Sequence, residues 1–194
     1  MSSVDIHPLT PGRVGDYFHF FDEVAFADHP EWSWCYCTFY HMDRAMEQSD
    51  DIQGKEDLRN LARRLIEDGT MAGYLAYENG EVVAWCNAGN RTTFKRLAET
   101  EGIWQSERPE RIKSVVCFIV AHTHRRQGLA KALLARVTAD AQSEGYDAVE
   151  AYPATGDLDC YGHFHGHEAM YAACGFSKEQ TLDGFAVMRY TLPR

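Results

Sequence analysis

The sequence predicts a mixed α/β fold of the α+β kind, a central and mostly antiparallel sheet flanked by helices. Three observations carry this expectation. Leu58, Leu61, Ala62, Leu65 and Ile66 recur at helical spacing over residues 55–68, and Leu129, Ala132, Leu133, Val137 and Ala141 do so further along. Asn79-Gly80 stands between two short apolar runs, residues 73–78 and 81–86. That dipeptide favours the type I′ turn whose twist matches an antiparallel hairpin. Finally, the apolar residues 114–120 run almost directly into Arg125-Arg126-Gln127-Gly128 and the second of the two helices.

The remaining elements follow in order. Residues 4–9 predict a first strand, ended by Pro8 and Pro11, and Pro11 opens a helix with Val14, Tyr17, Phe18 and Phe21 on one face. Residues 32–41 are unusually aromatic, with Trp32, Trp34, Tyr36, Phe39 and Tyr40. Residues 49–54 read as a loop, and Gly69 stops the helix that follows. The polar residues 92–110 hold a short helix around 94–97 and are placed to fold over a pocket. The later helix ends near Gly145, residues 148–152 form a strand broken by Pro153, and residues 169–174 form a short helix capped by Gly175. Residues 176–182 and 185–192 close the chain as a hairpin around Asp183-Gly184. With no linker or internal repeat, residues 1–194 read as a single domain.

Composition narrows the function classes. The 45% apolar and 25% charged residues are ordinary for a globular protein. No run approaches the roughly 18 apolar residues of a membrane span, and Met1-Ser2-Ser3-Val4-Asp5 lacks the basic and apolar regions of a signal peptide. The expectation is a cytoplasmic protein with no membrane partner. A net charge of −10 argues against nucleic acid and permits a cationic, amine-bearing acceptor. Of the six cysteines, Cys86, Cys117 and Cys174 sit in apolar patterns and Cys160 in a polar stretch. Cys35 and Cys37 have no second pair to complete a four-ligand zinc set, so reduced thiols are expected.

The chemistry is most visible at the turn before the later helix. A strand, a glycine-containing turn and a helix N-terminus leave the first-turn N–H groups and the positive end of the helix dipole facing outward. Arg125, Arg126, Gln127, Gly128, Leu129 and Ala130, with Lys131 beside them, therefore predict an anion site. The spacing fits neither a P-loop nor the Gly-x-Gly-x-x-Gly of a dinucleotide fold. It resembles the acyl-CoA signature of the GNAT acetyltransferases, Arg/Gln-x-x-Gly-x-Gly/Ala, here Arg125, Gly128 and Ala130. Small residues there let backbone approach a pyrophosphate closely. The order of elements over about residues 4–192 is also similar to that superfamily. So are the hairpin at 73–86, Cys117-Phe118-Ile119-Val120, and Tyr171-Ala172-Ala173-Cys174-Gly175-Phe176.

The resemblance implies direct transfer of an acetyl group from acetyl-CoA to a primary amine of a small molecule or peptide, in a ternary complex and without a metal. It implies a cleft where the cofactor strand parts from its neighbour, with the backbone of Phe118, Ile119 and Val120 pairing with pantetheine and the Val120 N–H polarising the thioester carbonyl. The turn would hold the pyrophosphate, and Tyr171 would be the general acid toward the leaving thiolate. The base is less defined. Histone-type relatives carry a glutamate where this chain has Ser114, which leaves Glu150 and His122 as candidate bases. The aromatic segment stands where such proteins build the acceptor wall. A homodimer is left open.

Two other readings remain. One is a GNAT-fold module that senses acyl-CoA without turnover. The other is a metal site on Gly162-His163-Phe164-His165-Gly166-His167, with Asp157, Asp159 and Cys160 nearby, because a strand would put His163, His165 and His167 on one face about 6–7 Å apart. As a loop, the same stretch would border the acceptor and bring a titratable group to it.

Overall fold

The structure, a computed structural model, describes residues 4–103, 108–156 and 162–193. A seven-stranded sheet runs through its centre in the order β1-β2-β3-β4-β5-β7-β6. The strands are β1 (Asp5–Pro8), β2 (Gly73–Glu78), β3 (Glu81–Asn90), β4 (Ile112–Val120), β5 (Ala148–Ala151), β6 (Ser177–Leu182) and β7 (Phe185–Thr191). Each of these pairings is antiparallel except that of β4 with β5. Asn79 and Gly80 take φ of 52° and 86°, the two positive values a type I′ turn requires, and so set the β2–β3 register.

Helices cover both faces. On one face lie α1 (Val14–His19), which continues as a wider turn over Phe20–Val24, and α3 (Lys55–Glu67). They bury Tyr17, Phe20, Phe21, Ala62 and Ile66 against Trp85 and Ile119. On the other face lie α5 (Leu129–Ser143) and α6 (Glu168–Ala173), which bury Leu133, Leu134, Val137 and Tyr171 against Val115 and Phe118. Ile119 and Phe118 are neighbours on β4 yet belong to opposite cores, as period-two alternation demands. Two short helices, α2 (Arg44–Glu47) and α4 (Lys95–Ala98), sit at the rim, where the Arg96 guanidinium lies 4.7 Å from the Phe39 ring centroid. No helix among the described residues is long and apolar enough to cross a membrane.

The expected elements differ from the observed ones mainly at their ends. β4 begins at Ile112 rather than 114 because Ile112 and Lys113 extend its pairing with β5. The aromatic residues 32–41 form no regular helix but two single 3-10 turns, Pro30–Trp32 and Phe39–His41.

Candidate active site

The site begins where the parallel pair comes apart. β4 and β5 stay in register from Ile112 with Ala148 to Val115 with Ala151, and no further. Against β3, Cys117 faces Asn87 while Val115 faces Ala88, so Val116 is the extra residue of a bulge at the same point. Beyond it, one edge of β4 is unpaired by any strand among the described residues. The Ala121 N–H donates to the Val83 carbonyl at 2.9 Å. By alternation the main-chain groups of Ile119 point toward β3, and those of Phe118 and Val120 point to the open edge. The expectation for Ile119 is thus corrected, because its backbone is turned to β3 and its side chain packs in the core.

The open edge ends at the basic turn. Gly128 caps α5 at φ 86° and Arg126 takes φ 63°, two left-handed positions that turn the chain sharply into the helix. A Cβ at Gly128 would meet no atom within 4 Å, so the space before the helix is open. Val120, His124, Arg125, Arg126, Gly128, Leu129, Ala130, Lys131 and Met170 line a cavity of about 380 Å³ there. The N–H groups of Leu129, Ala130 and Lys131 have no carbonyl one turn earlier to bond. Gln127 differs from expectation, since its amide donates to the Thr123 carbonyl at 3.0 Å and braces the turn instead of lining the cavity. Arg125 forms a two-pronged pair with Asp28, at 2.6 and 3.1 Å, and its Nε donates to the Val120 carbonyl at 3.3 Å.

A second cavity, of about 280 Å³, opens beside the bulge, lined by Cys35, Cys37, Phe39, Tyr40, Asn87, Cys117, Phe164 and His165. Cys37 in its wall and the adjoining Tyr36 take φ of 49° and 40°, conformations that cost non-glycine residues on the order of 1–3 kcal/mol each. The surroundings hold them there. The Tyr36 carbonyl accepts from the Tyr17 hydroxyl at 2.6 Å, the Tyr36 hydroxyl donates to Asp22 at 2.6 Å, and the Cys37 sulfur lies 3.4 Å from that of Cys117. Of the aromatic segment, Tyr36 packs in the core, Phe39 and Tyr40 line the cavity, and Trp34 is exposed.

Behind the cavity lies a polar pair that single-sequence reading missed. His41 is 2% exposed and its Nδ1 donates to the Thr93 carbonyl at 3.2 Å, so its Nε2 accepts from Asn87 Nδ2 at 3.3 Å. Burial pushes the His41 imidazole down to about 4. In the unfolded chain it titrates near 6.5. Between these values the unfolded state binds more protons, so stability falls as the pH drops from about 6.5 toward 4, by up to about 3 kcal/mol. Urea denaturation across that range should show this slope in the wild type and a flatter one in His41→Gln; equal slopes would mean that another group titrates.

His165 ends the 3-10 turn Gly162–His165, and its Nδ1 lies 2.8 Å from the Val116 carbonyl at the bulge. Tyr171 is wholly buried, and its hydroxyl donates to the His165 carbonyl at 2.8 Å. Gly166, at φ 75°, makes this approach possible, since a Cβ there would come within 3.1 Å of the Tyr171 oxygen. Burial raises the phenol well above its ordinary value near 10, so it stays protonated.

The two bases expected from the sequence stand elsewhere. Glu150 is buried, with one carboxylate oxygen 2.8 Å from Arg91 and the other 2.8 Å from Arg189. The Tyr152 hydroxyl also donates to it, at 3.2 Å, and pairs with Ser114 at 2.8 Å. Both of its oxygens are thus engaged by guanidinium groups, and Glu150 lines neither of the two cavities. His122 is exposed on the turn His122–His124 and lines neither cavity. The three-histidine face also changes, because the segment is a 3-10 turn rather than a strand. His165 turns to Val116 while the His163 and His167 rings meet at 5.5 Å. Among the described residues no group of three or more His, Cys, Asp or Glu is placed to hold a metal, and Asp157, Asp159 and Cys160 lie outside the described residues.

Comparison with known proteins bears on this geometry. A search of curated proteins finds none that matches. Solved structures that superpose include the GNAT domain of S. lividans PAT, with a TM-score of 0.59 and 16% identity over 97% of this chain and 90% of that one. An acetyltransferase from Thermus thermophilus gives 0.58 and 15% over 99% and 100% of the two chains. The ribosomal-protein-S18-alanine N-acetyltransferase from Escherichia coli gives 0.52 and 14% over 99% and 96%. These superpositions show a shared fold. The sequence profile of the Acetyltransferase (GNAT) family matches residues 27–176, from the loop after α1 through the parted strands to the end of α6, and the chain belongs to that family.

Proposed function

We propose that this chain is an acetyl-CoA-dependent N-acetyltransferase that moves an acetyl group directly to a primary amine of a small molecule or peptide. The observation that carries the reading is the open edge of β4. Val120 on it borders the basic-turn cavity and Cys117 the second cavity, three residues or about 10 Å apart. A donor along that edge would have its phosphates at one cavity and its acyl end at the other.

The turn suits the pyrophosphate, with first-turn N–H groups, Arg126 and Lys131 around the open space at Gly128. Acetyl-CoA supplies an acetyl group already activated as a thioester. The chain must deliver an uncharged nitrogen to it, stabilise the oxyanion and protonate the departing thiolate. A carbonyl cannot donate, so Nδ1 of His165 carries a proton toward Val116. His165, which lines the cavity beside the bulge, is the base we assign, in place of Glu150 and His122. The Val120 N–H, aimed at the open edge, would donate to the developing oxyanion. Tyr171, kept protonated by burial, would give its proton to the thiolate, releasing the His165 carbonyl as it does so. Holding amine and thioester together contributes most of the rate.

Calorimetric titration of acetyl-CoA and CoA, followed by a thiol-release assay over an amine panel, tests the reading. Gly128→Glu should weaken binding by about 10²-fold, because it sets a carboxylate against phosphate. Tyr171→Phe should bind the donor normally and release thiol at least about 10-fold more slowly. A well-folded wild type that binds neither nucleotide would refute the proposal. Binding with no thiol release for any amine would favour the acyl-CoA sensor.

A further inference from the structure

We infer that the acceptor is a primary amine on a compact apolar body with no second charge, seated in the cavity beside the bulge with its nitrogen held by Asn87 Oδ1. This rests on the acetyl transfer proposed above and adds to it the substrate class and a residue that positions the nucleophile.

Asn87 sits mid-strand on β3 with no solvent exposure. Its Nδ2 donates to the Cys37 carbonyl at 3.0 Å and to His41 Nε2 at 3.3 Å. Both partners are acceptors, because His41 spends its own proton on Thr93. The amide therefore has a single orientation, with Oδ1 the remaining group. That oxygen is buried and finds no hydrogen-bond partner among the described residues, and Asn87 is part of the cavity wall. A buried amide oxygen without a donor is costly, and its natural complement is an N–H brought by a ligand.

The rest of the wall defines what carries that N–H. Phe39, Tyr40, Phe164 and the sulfurs of Cys37 and Cys117 surround the space, and among the described residues no carboxylate lines it. A polyamine or a basic peptide side chain would bring a second cation that no carboxylate among the described wall residues pairs. Thiols and rings instead suit an aromatic or branched aliphatic body. A volume of about 280 Å³ equals roughly nine waters, which limits the body to about ten non-hydrogen atoms. His165 shares the wall with Asn87, so one residue orients the nitrogen while the other removes its proton.

The test measures binding and turnover separately. Thiol release with acetyl-CoA is compared for 2-phenylethylamine, 3-methylbutylamine, 1,4-diaminobutane and a lysine-containing pentapeptide. Binding of 2-phenylethylamine alone is followed by ligand-observed NMR, which does not depend on the donor site. We expect kcat/KM for the two apolar amines to exceed that of the diamine and the peptide by at least about 10²-fold. Asn87→Leu should raise KM for 2-phenylethylamine by about tenfold while leaving the Kd for acetyl-CoA unchanged. Phe39→Ala, at an exposed rim position that folding tolerates, should weaken the same amine and spare the diamine. Robust turnover that prefers the diamine or the peptide would overturn this inference and leave the acetyltransferase reading intact. NMR binding of 2-phenylethylamine that persists unchanged in both variants would also overturn it. Conversely, wild type that binds 2-phenylethylamine in an Asn87-dependent way but not acetyl-CoA would retain the pocket and remove the proposed reaction.

Discussion

Replacing His165 with glutamine should lower kcat at pH 7 by about 10²- to 10³-fold while leaving the Kd of acetyl-CoA within about twofold of wild type. Glutamine keeps a side-chain N–H that can reach the Val116 carbonyl, which His165 Nδ1 now meets at 2.8 Å, so the bulge and the Tyr171 contact survive. What disappears is the basic nitrogen. An alkylammonium has a pKa near 10.4, so about one amine in 2,500 is neutral at pH 7 without help. The pH profile makes the role separable from packing. A histidine base produces an acid limb in the rate, and the variant should lose that limb and gain rate steadily with rising pH. Stopped-flow or steady-state thiol release from pH 5.5 to 10 provides the measurement. An unchanged acid limb in His165→Gln would transfer the base to another group.

Glu150→Gln should cost about 3–5 kcal/mol of folding stability and little activity per folded molecule. Glu150 has 4% side-chain exposure and Arg91 has 1%, and Glu150 holds both Arg91 and Arg189 at 2.8 Å. Neutralising the carboxylate leaves guanidinium charge inside the sheet with weaker neutral bonds in its place, and breaking a buried pair from one side is the costly direction. Against a typical total of about 5–15 kcal/mol this is a large fraction, readable as a fall in urea midpoint. Residual kcat, corrected for the folded fraction, should stay within about threefold of wild type. If stability holds and kcat collapses, the carboxylate is catalytic and the pairing with the two arginines has been misjudged. These two variants therefore separate the base inferred from geometry from the one suggested by strand position.

The two effects also explain why the basic turn and the acceptor side were not equally legible. Arg125 to Lys131 are consecutive, and their place at the head of α5 follows from a strand, a turn and a helix whose periodicities are local. The place of Tyr171 was legible because it lies four residues before Gly175 on a short helix. Gln127 was misplaced because a side chain at the right position can still rotate to a nearer carbonyl, here that of Thr123. Glu150 was misjudged because its partners, Arg91 and Arg189, lie 59 and 39 residues away. Nothing in the spacing of charges along the chain reveals such a pair. Asn87 and His41 look ordinary in sequence, one in an apolar strand and the other at the end of an aromatic run.

By itself the sequence determined the class of fold, the order of its elements, the hairpin at Asn79-Gly80 and the basic turn ahead of α5. All of these rest on hydrophobic period, turn chemistry and helix termini, which act over a few residues. Only the tertiary structure decided which groups converge where β4 leaves β5. A bulge at Val116 offers its carbonyl to His165, a left-handed step at Tyr36 and Cys37 shapes the loop beside β3, and Asn87, in the wall of an apolar cavity, keeps one buried oxygen that no described residue pairs. The physical reason is that burial and hydrogen-bond satisfaction are settled between segments distant along the chain, so the basicity, orientation and availability of a side chain are properties of its neighbours in space.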